Sequence, residues 1–573
     1  MLWRRRKRKD PEIAPDEIFL DASNAPAFDR ARFEGRLEKP LPHGTFVSLA
    51  SALSLLFLIL VGRAWDLEIL QGEAFAARSA HNSLESTILF APRGVITDFQ
   101  GVILAENVQR EDGTVRRNYP LPSLGQIIGY VSSPKKDAKG VYYDEKETGL
   151  AGLEAEYDSL LAGKNGQLLT ETDALGRVRS EGTIVRAETG ATLRLSLDAE
   201  LERLFAHAIK DIVDNMHFIA GAGVIMDVSS GAVRAIVSYP SYDPNVMTQG
   251  GPSDIIADYS TSERHPFLDH AVQGVYAPGS IVKPLIASGA LTDGLITPNT
   301  VIDDPGFIEV PDPYHPGESF IYKGWKALGP VDVEKAIAWS SDIFFYTVGG
   351  GFGNQRGLGI VRLEYWYRQF GMGSLTGVDL PGEATGLIPT PEWKEKVFDE
   401  PWYLGDTYFT AIGQYSVQVT PVQMVRAIAA VANGGKLFIP TLLAQHQNSF
   451  GAGLADKAPT YTTVPVSADA LAVVREGMRQ GVTTALASAL NFPYVKVAAK
   501  TGTAQTGTRN QYDNSWVIGF FPHDNPQYAF AVVLERGPAG SGSQAVNVMQ
   551  ELFSSLYAQN SVYVGGTATS TQN

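Results

Sequence analysis

A chain of 573 residues has room for several domains and for large buried cores. With 44% hydrophobic and 19% charged residues, it is neither a wholly disordered chain nor a polytopic membrane protein. The 62 acidic residues outnumber the 47 basic ones, giving a net charge of -15, so the chain is a poor match for nucleic acid. With no cysteine it has no disulfide, thiolate metal site or cysteine nucleophile, which suits a compartment where a stray thiol would oxidise.

The N-terminus carries Trp3 and the run Arg4, Arg5, Arg6, Lys7, Arg8 and Lys9, then a polar, Pro-containing stretch without sustained apolar periodicity. Residues 1–43 read as a flexible basic tail. Residues 44–62, GTFVSLASALSLLFLILVG, contain no charge and approach the roughly 20 residues that a helix needs to cross a bilayer. A single uncleaved anchor is expected over 44–65. The competing reading is a cleaved signal peptide, for which Ala74-Phe75-Ala76 is a superficial cleavage site well beyond the apolar run. Basic residues crowd the segment before the span, so the tail is expected in the cytoplasm and everything after Trp65 outside.

Between 66 and 190 short apolar runs at 88–90, 102–104 and 126–131 alternate with Gly, Pro and charge, which predicts a strand-rich, non-catalytic domain. A second domain is expected over 191–559. Near its start Asp198 precedes a segment in which Leu201, Leu204, Phe205, Ala208, Ile209 and Ile212 recur at helical spacing. The apolar runs 222–227 and 232–238, joined by Val228-Ser229-Ser230-Gly231, predict a hairpin. Three β-like runs at 494–503, 515–521 and 528–534 lead to a helix over 545–558. Strands with helices before and after them predict an antiparallel sheet with helices on its faces, an α+β fold. The polar run 560–573 is expected to remain without a fold.

Three segments carry chemistry. In Tyr276-Ala277-Pro278-Gly279-Ser280-Ile281-Val282-Lys283-Pro284, turn residues give way to a helix-compatible run, so a helix is expected from about Ser280. Residues i and i+3 share a helix face, which places the Lys283 amine beside the Ser280 hydroxyl. A serine is a poor nucleophile until a base takes its proton, and a lysine serves only when burial or nearby cations depress its pKa. Ser340-Ser341-Asp342 interrupts an apolar stretch, so its buried polar groups need partners. Lys500-Thr501-Gly502-Thr503 is expected to end the strand 495–499, where Gly502 permits close approach of a substrate. Each segment alone also fits a bland role: a surface helix start, a capped turn and a solvated strand end.

In this order the three segments match the S-x-x-K, S-x-[ND] and K-T-G set of the penicillin-binding proteins and β-lactamases. The resemblance extends over the segments 91–107, 149–166, 231–245 and 411–424, which resemble the class B, monofunctional penicillin-binding proteins. Segments 376–394 and 401–407, with Ser340-Ser341-Asp342, resemble the elongation branch, penicillin-binding protein 2. The resemblance implies a single N-terminal anchor, an elongated pedestal and a penicillin-binding, serine β-lactamase-like transpeptidase domain. It implies a D,D-transpeptidase that cross-links peptidoglycan stem peptides with D-Ala-D-Ala termini and is a target of β-lactams. Ser280 would be the nucleophile, Lys283 its base and Ser340 a proton relay. Lys500 would hold the field positive, and Thr501 and Thr503 would bind the terminal carboxylate. The backbone N–H groups of Ser280 and Thr503 would form the oxyanion hole. A membrane-embedded polymerase of the SEDS glycosyltransferase class is the implied partner.

Two residues depart from the family pattern. Asp342 stands where many relatives have asparagine and is expected to favour charged lysines, and Tyr415 follows Gly413-Gln414 where a glycine is usual. Other signals are weaker. Gly540-Ser541-Gly542-Ser543-Gln544-Ala545 resembles a dinucleotide fingerprint, but too little chain follows for a βαβ unit. No cofactor or metal is expected; Asp304, Asp312 and His315 are the residues that would offer a cation site. A D,D-carboxypeptidase, a membrane-bound β-lactam sensor and a silent scaffold regulating a wall polymerase remain the rival functions.

Overall fold

A computed structural model of the chain describes residues 43–73, 84–109, 115–138, 142–172, 178–312, 315, 317–447 and 458–566. Nearly all of the basic tail and the Ala74-Phe75-Ala76 sequence lie outside these residues. The chain divides into two compact units, Met1–Glu85 with Glu171–Ser180, and Ser86–Thr170 with Glu181–Asn573. The first holds helix α1 (His43–Trp65), whose lack of charge before Arg63 leaves no polar face. Its axis continues through Leu70, and over His43–Leu70 it is long and apolar enough to span a bilayer.

In the second unit, residues 86–170 form short strands and helical turns. One five-stranded sheet takes Leu443–Gln447, Thr192–Leu195, Ile96–Thr97, Ile103–Gln109 and Val115–Asn118 in that order. The pedestal sheet therefore runs past the expected boundary at 190 and recruits a strand from much later in the chain. Within the run 126–131, expected as a strand, Gly125–Ile128 is a helical turn. Leu124, Ile127 and Ile128 recur at i, i+3 and i+4 and are all buried, which a short apolar run does not distinguish from a strand in sequence. At the heart of this region buried Glu154 accepts from Arg93 Nε (2.6 Å) and Arg117 Nε (2.7 Å).

The remaining chain builds the larger layer structure. Asp198 caps α2 (Ala199–Asn215), accepting from the N–H groups of Glu200 and Leu201. The predicted hairpin follows as β1 (Ala220–Asp227) and β2 (Val233–Tyr239). Then come α3 (Lys283–Thr292), α4 (Val333–Ala338), α5 (Asp342–Gly350), α6 (Pro421–Ala432) and α7 (Ala468–Thr483). The chain closes with β3 (Ala498–Thr506), β4 (Tyr512–Phe521), β5 (Tyr528–Pro538) and α8 (Ala545–Ala558). The five strands form one antiparallel sheet in the order β2-β1-β5-β4-β3.

Alternation along β5 shows why both faces are covered. Ala529, Ala531 and Val533 enter one core, and Phe530, Val532 and Leu534 enter the other. On the first face lies α6, all of whose residues are buried; on the second lie α2 and α8. Residues 560–566, expected to remain without a fold, are ordered. Ser561 caps a turn over Val562–Val564, and the Tyr563 hydroxyl donates to Asp198 Oδ2 (3.0 Å). Tyr563 and Val564 are buried, with their turn packed on α8, while 567–573 lie outside the described residues.

Candidate active site

Ser280 lies in a 3-10 turn, Gly279–Val282, that leads into α3 at Lys283. The α-helix thus starts three residues later than expected, and in the tighter turn residues i and i+3 are nearly eclipsed. Gly279 has φ +57°, and a Cβ there would stand 2.8 Å from the Thr503 carbonyl oxygen, so only glycine lets the turn approach β3. Its N–H donates to Gly413 O (2.8 Å). Ser280 is half-buried, whereas Lys283 is fully buried.

The Lys283 amine reaches the second segment. Nζ lies 2.9 Å from Ser340 O, 3.2 Å from Ser340 Oγ and 2.6 Å from Asp342 Oδ1. These three bonds go to Ser340, on the α4–α5 connection, and to Asp342, at the start of α5. Ser340 holds this position with φ +59°, an uncommon conformation for a residue with a Cβ. Ser341 caps α5 by accepting from Phe344 N (3.0 Å) and donates to Asp304 Oδ2 (2.5 Å). Asp304, considered above as a cation ligand with Asp312 and His315, is instead buried as the partner of Ser341.

The third segment lies within β3, not at its end: the strand runs on to Thr506. It is an edge strand, paired only with β4, with Lys500 opposite Ile518 and Thr503 opposite Ser515. Within a strand the N–H and C=O of one residue point to the same side, so the Thr503 carbonyl facing Gly279 aims the Thr503 N–H at the turn that carries Ser280. Alternation places Lys500 and Gly502 on one face and Thr501 and Thr503 on the other. A Cβ at Gly502 would be 2.8 Å from Ile281 Cγ2 and 2.9 Å from Pro278 O. The structure thus brings Ser280, Lys283, Ser340, Asp342, Lys500, Thr501, Gly502 and Thr503 together.

Burial dominates the electrostatics. It pushes the Lys283 amine below its ordinary range, against the upward pull of Asp342 and of Asp304. Asp342 therefore acts in the expected direction but is outweighed. Lys500, also buried, is pushed well below the lysine range by burial and by the charge of Lys283, and its Nζ donates to Thr501 O (2.7 Å). Two buried amines that repel each other titrate as a pair.

Two contributions escape a reading of the motifs alone. Asp304 orients Ser341 from a distant strand, and the loop at Gly413 buttresses the turn that carries Ser280. Next to it, Tyr415 adopts φ +64°, which explains why glycine would suit this position. Its ring packs edge-on to Trp393 and Trp402, with centroids 6.2 and 5.7 Å apart.

Residues 221–554 match the model of the penicillin-binding protein transpeptidase domain, and 111–195 that of the penicillin-binding protein dimerisation domain. Peptidoglycan D,D-transpeptidase MrdA of Escherichia coli is 35% identical over 459 residues, covering 75% of this chain and 69% of that protein. The crystal structure of Pseudomonas aeruginosa PBP2 in complex with WCK 5153 is 29% identical with a TM-score of 0.67, covering 85% of this chain and all of that one. A chain of a solved peptidoglycan synthase complex is 28% identical with a TM-score of 0.71, covering 92% of this chain and all of that one. A transpeptidase-domain match over more than half of the chain, joined to relatives that align through the pedestal as well, settles the family: the chain belongs to the penicillin-binding proteins, as a class B member of the penicillin-binding protein 2 type.

Proposed function

We propose that the chain is a peptidoglycan D,D-transpeptidase of cell-wall elongation that works through a serine acyl-enzyme at Ser280. The observation that carries this reading is the buried Lys283 amine, one turn from Ser280 and bonded to both Ser340 and Asp342. When Lys283 is neutral, two N–H groups serve Ser340 O and Asp342, and the lone pair accepts from the Ser340 hydroxyl. Bound substrate turns that lone pair to Ser280. Ser280 Oγ then bonds to the carbonyl carbon between the last two D-alanines as its proton passes to Lys283.

The N–H groups of Ser280 and Thr503 receive the oxyanion, where loss of one donor typically costs roughly 3 kcal/mol. Lys283 returns the proton through Ser340 to the departing nitrogen, the C–N bond breaks, and D-alanine leaves. The amine of a second stem peptide then attacks the ester, its proton leaves by the same route, and Ser280 recovers its hydroxyl. Thr501 and Thr503 hold the terminal carboxylate, while Gly502 admits the turn that carries Ser280, not the substrate, close to β3. The carboxylate raises the Lys500 pKa while neutral Lys283 relieves the repulsion, so in the complex the positive charge resides on Lys500.

In this reading 1–43 is cytoplasmic, 44–65 is the anchor, 66–190 is the pedestal outside the membrane, and 191–559 is the transpeptidase domain. The solved peptidoglycan synthase complex supports a glycosyltransferase partner in the membrane, and the family supports β-lactams as ligands. Incubation with a stem pentapeptide donor and an amine-bearing acceptor tests the function. Cross-linked dimer formed with one D-alanine per link is the expected result. D-alanine without dimer would instead identify a carboxypeptidase, and neither product a sensor or scaffold.

A further inference from the structure

The loop that leads into the Ser280 turn buries three polar side chains, Asp269, His270 and Tyr276. The His270 N–H donates to Ser238 Oγ on β2 (2.9 Å), and the ring reaches toward β5. Its Nδ1 lies 2.8 Å from the Tyr276 hydroxyl and 3.3 Å from Glu535 Oε2, while Nε2 lies 3.3 Å from Arg264 O. The Tyr276 hydroxyl also hydrogen-bonds Glu535. A Cβ at Gly274 would stand 2.3 Å from that hydroxyl oxygen, so glycine lets the tyrosine fold back onto the loop.

Counting donors shows what this arrangement requires. Arg264 O and the Glu535 carboxylate can only accept, so the ring serves both when each nitrogen carries a hydrogen, which makes it a cation beside Glu535. The Tyr276 hydroxyl then gives its hydrogen to Glu535. A neutral ring that keeps its Nε2 hydrogen for Arg264 O presents a lone pair at Nδ1, which takes the Tyr276 hydrogen, and Glu535 loses both donors. The protonated ring therefore fastens the loop to β5, whereas the neutral ring bonds Tyr276 within the loop. The other ionisable group against the ring is Asp269, lifted to about 6 by burial and accepting from the N–H groups of Ala271 and Val272. The Arg264 guanidinium donates to Asp214 (3.0 Å).

Tyr276 is four residues before Ser280. Its backbone pairs with Val419, its ring meets Trp516 of β4 edge-on at 6.0 Å, and Trp516 Nε1 donates to Ala277 O (3.0 Å). Contacts to β4 and β5 thus set where the turn begins. We propose that His270 is a positioning residue for acylation: as a cation paired with Glu535 it holds Tyr276, and through it the turn that carries Ser280, in the reactive placement, and it releases that hold on losing its proton. The inference rests on the reading of Ser280 as the nucleophile.

Stopped-flow reaction of the full chain with penicillin between pH 5 and 8, the range in which imidazoles change charge, separates the dissociation constant of the first complex from the acylation rate constant. His270→Gln keeps a polar side chain without a titrating group. Wild type and variant share the pH effects of Lys283 and Asp269, so the ratio of their acylation rate constants isolates the ring. That ratio is expected to be about tenfold at pH 5, as for one charge-assisted contact, and to fall toward one at pH 8 with the dissociation constant unchanged. The ratio of wild type to Glu535→Gln should fall in the same way, and it decides the matter if His270→Gln does not fold. A ratio that is constant with pH, or an effect confined to the dissociation constant, would overturn the role of His270 and leave Ser280 as the nucleophile. Failure of penicillin to acylate the wild type at any pH would overturn both.

Discussion

The chemistry of single residues here is set by burial more than by their immediate partners. If Lys283 must be neutral to accept the Ser280 proton, acylation by a β-lactam rises with pH, with a midpoint below the ordinary lysine value of about 10.4 because burial lowers the amine. Asp342 opposes that lowering, so Asp342→Asn should move the midpoint to lower pH; stopped-flow acylation rates across pH read it, and an upward move would contradict the assignment. Glu202 illustrates the reverse sign. Its Oε2 accepts from Ile236 N, its Oε1 has no partner, and burial lifts the carboxyl to about 8. The folded state therefore holds a proton that the unfolded state releases near pH 4.3, so this group's contribution to stability is complete below that pH and is lost as pH rises toward 8. Glu202→Gln should flatten the fall in Tm between pH 5 and 8, and an unchanged slope would show that Glu202 is not the titrating group. At this scale the sequence exposes Ser280, Lys283, Ser340 and Lys500 because each belongs to a short motif. Asp304 is invisible because its link to Ser341 spans a fold, not a spacing.

Among elements, those with their own punctuation are readable from sequence. Asp198 announces α2, the short apolar runs announce β1, β2, β4 and β5, and α8 is found over the expected residues. Helix α6 is not picked out: its two polar residues, Gln423 and Arg426, are buried with the rest and mark no solvent face. Its signal is instead the capping box of Thr420 and Gln423 with Pro421 at the first turn. Strand β3 is misjudged at both ends: it begins only at Ala498, and Thr501, Gly502 and Thr503 look like a strand terminus, whereas the edge position lets polar residues continue it to Thr506. The packing of β3 on the nucleophile turn depends on the missing side chain at 502. Gly502→Val should slow β-lactam acylation by about 100-fold or more while the far-UV circular dichroism stays native, since the branched Cβ meets Ile281 and Pro278. An acylation rate within a factor of two of wild type would show that the strand does not need this approach.

For the whole molecule, composition and the apolar run sort the chain correctly into a largely globular, cysteine-free protein with, among the described residues, one helix long and apolar enough to span a bilayer, but say nothing of how the pedestal is held. That region relies on Glu154 between Arg93 and Arg117, three charges buried with little or no exposure. Removing one member of such a cluster typically costs roughly 3–5 kcal/mol. Glu154→Ala should therefore lower the unfolding free energy read from a denaturant titration by that amount, and a change under about 1 kcal/mol would show that the cluster is dispensable. The same scale carries the central claim, that segments more than 200 residues apart in the sequence make one reactive alcohol. Peptide mapping of the full chain after reaction with penicillin tests it most directly. A single adduct on the peptide containing Ser280, absent from Ser280→Ala, is the predicted result. An unmodified chain, or an adduct on any other residue, would contradict it.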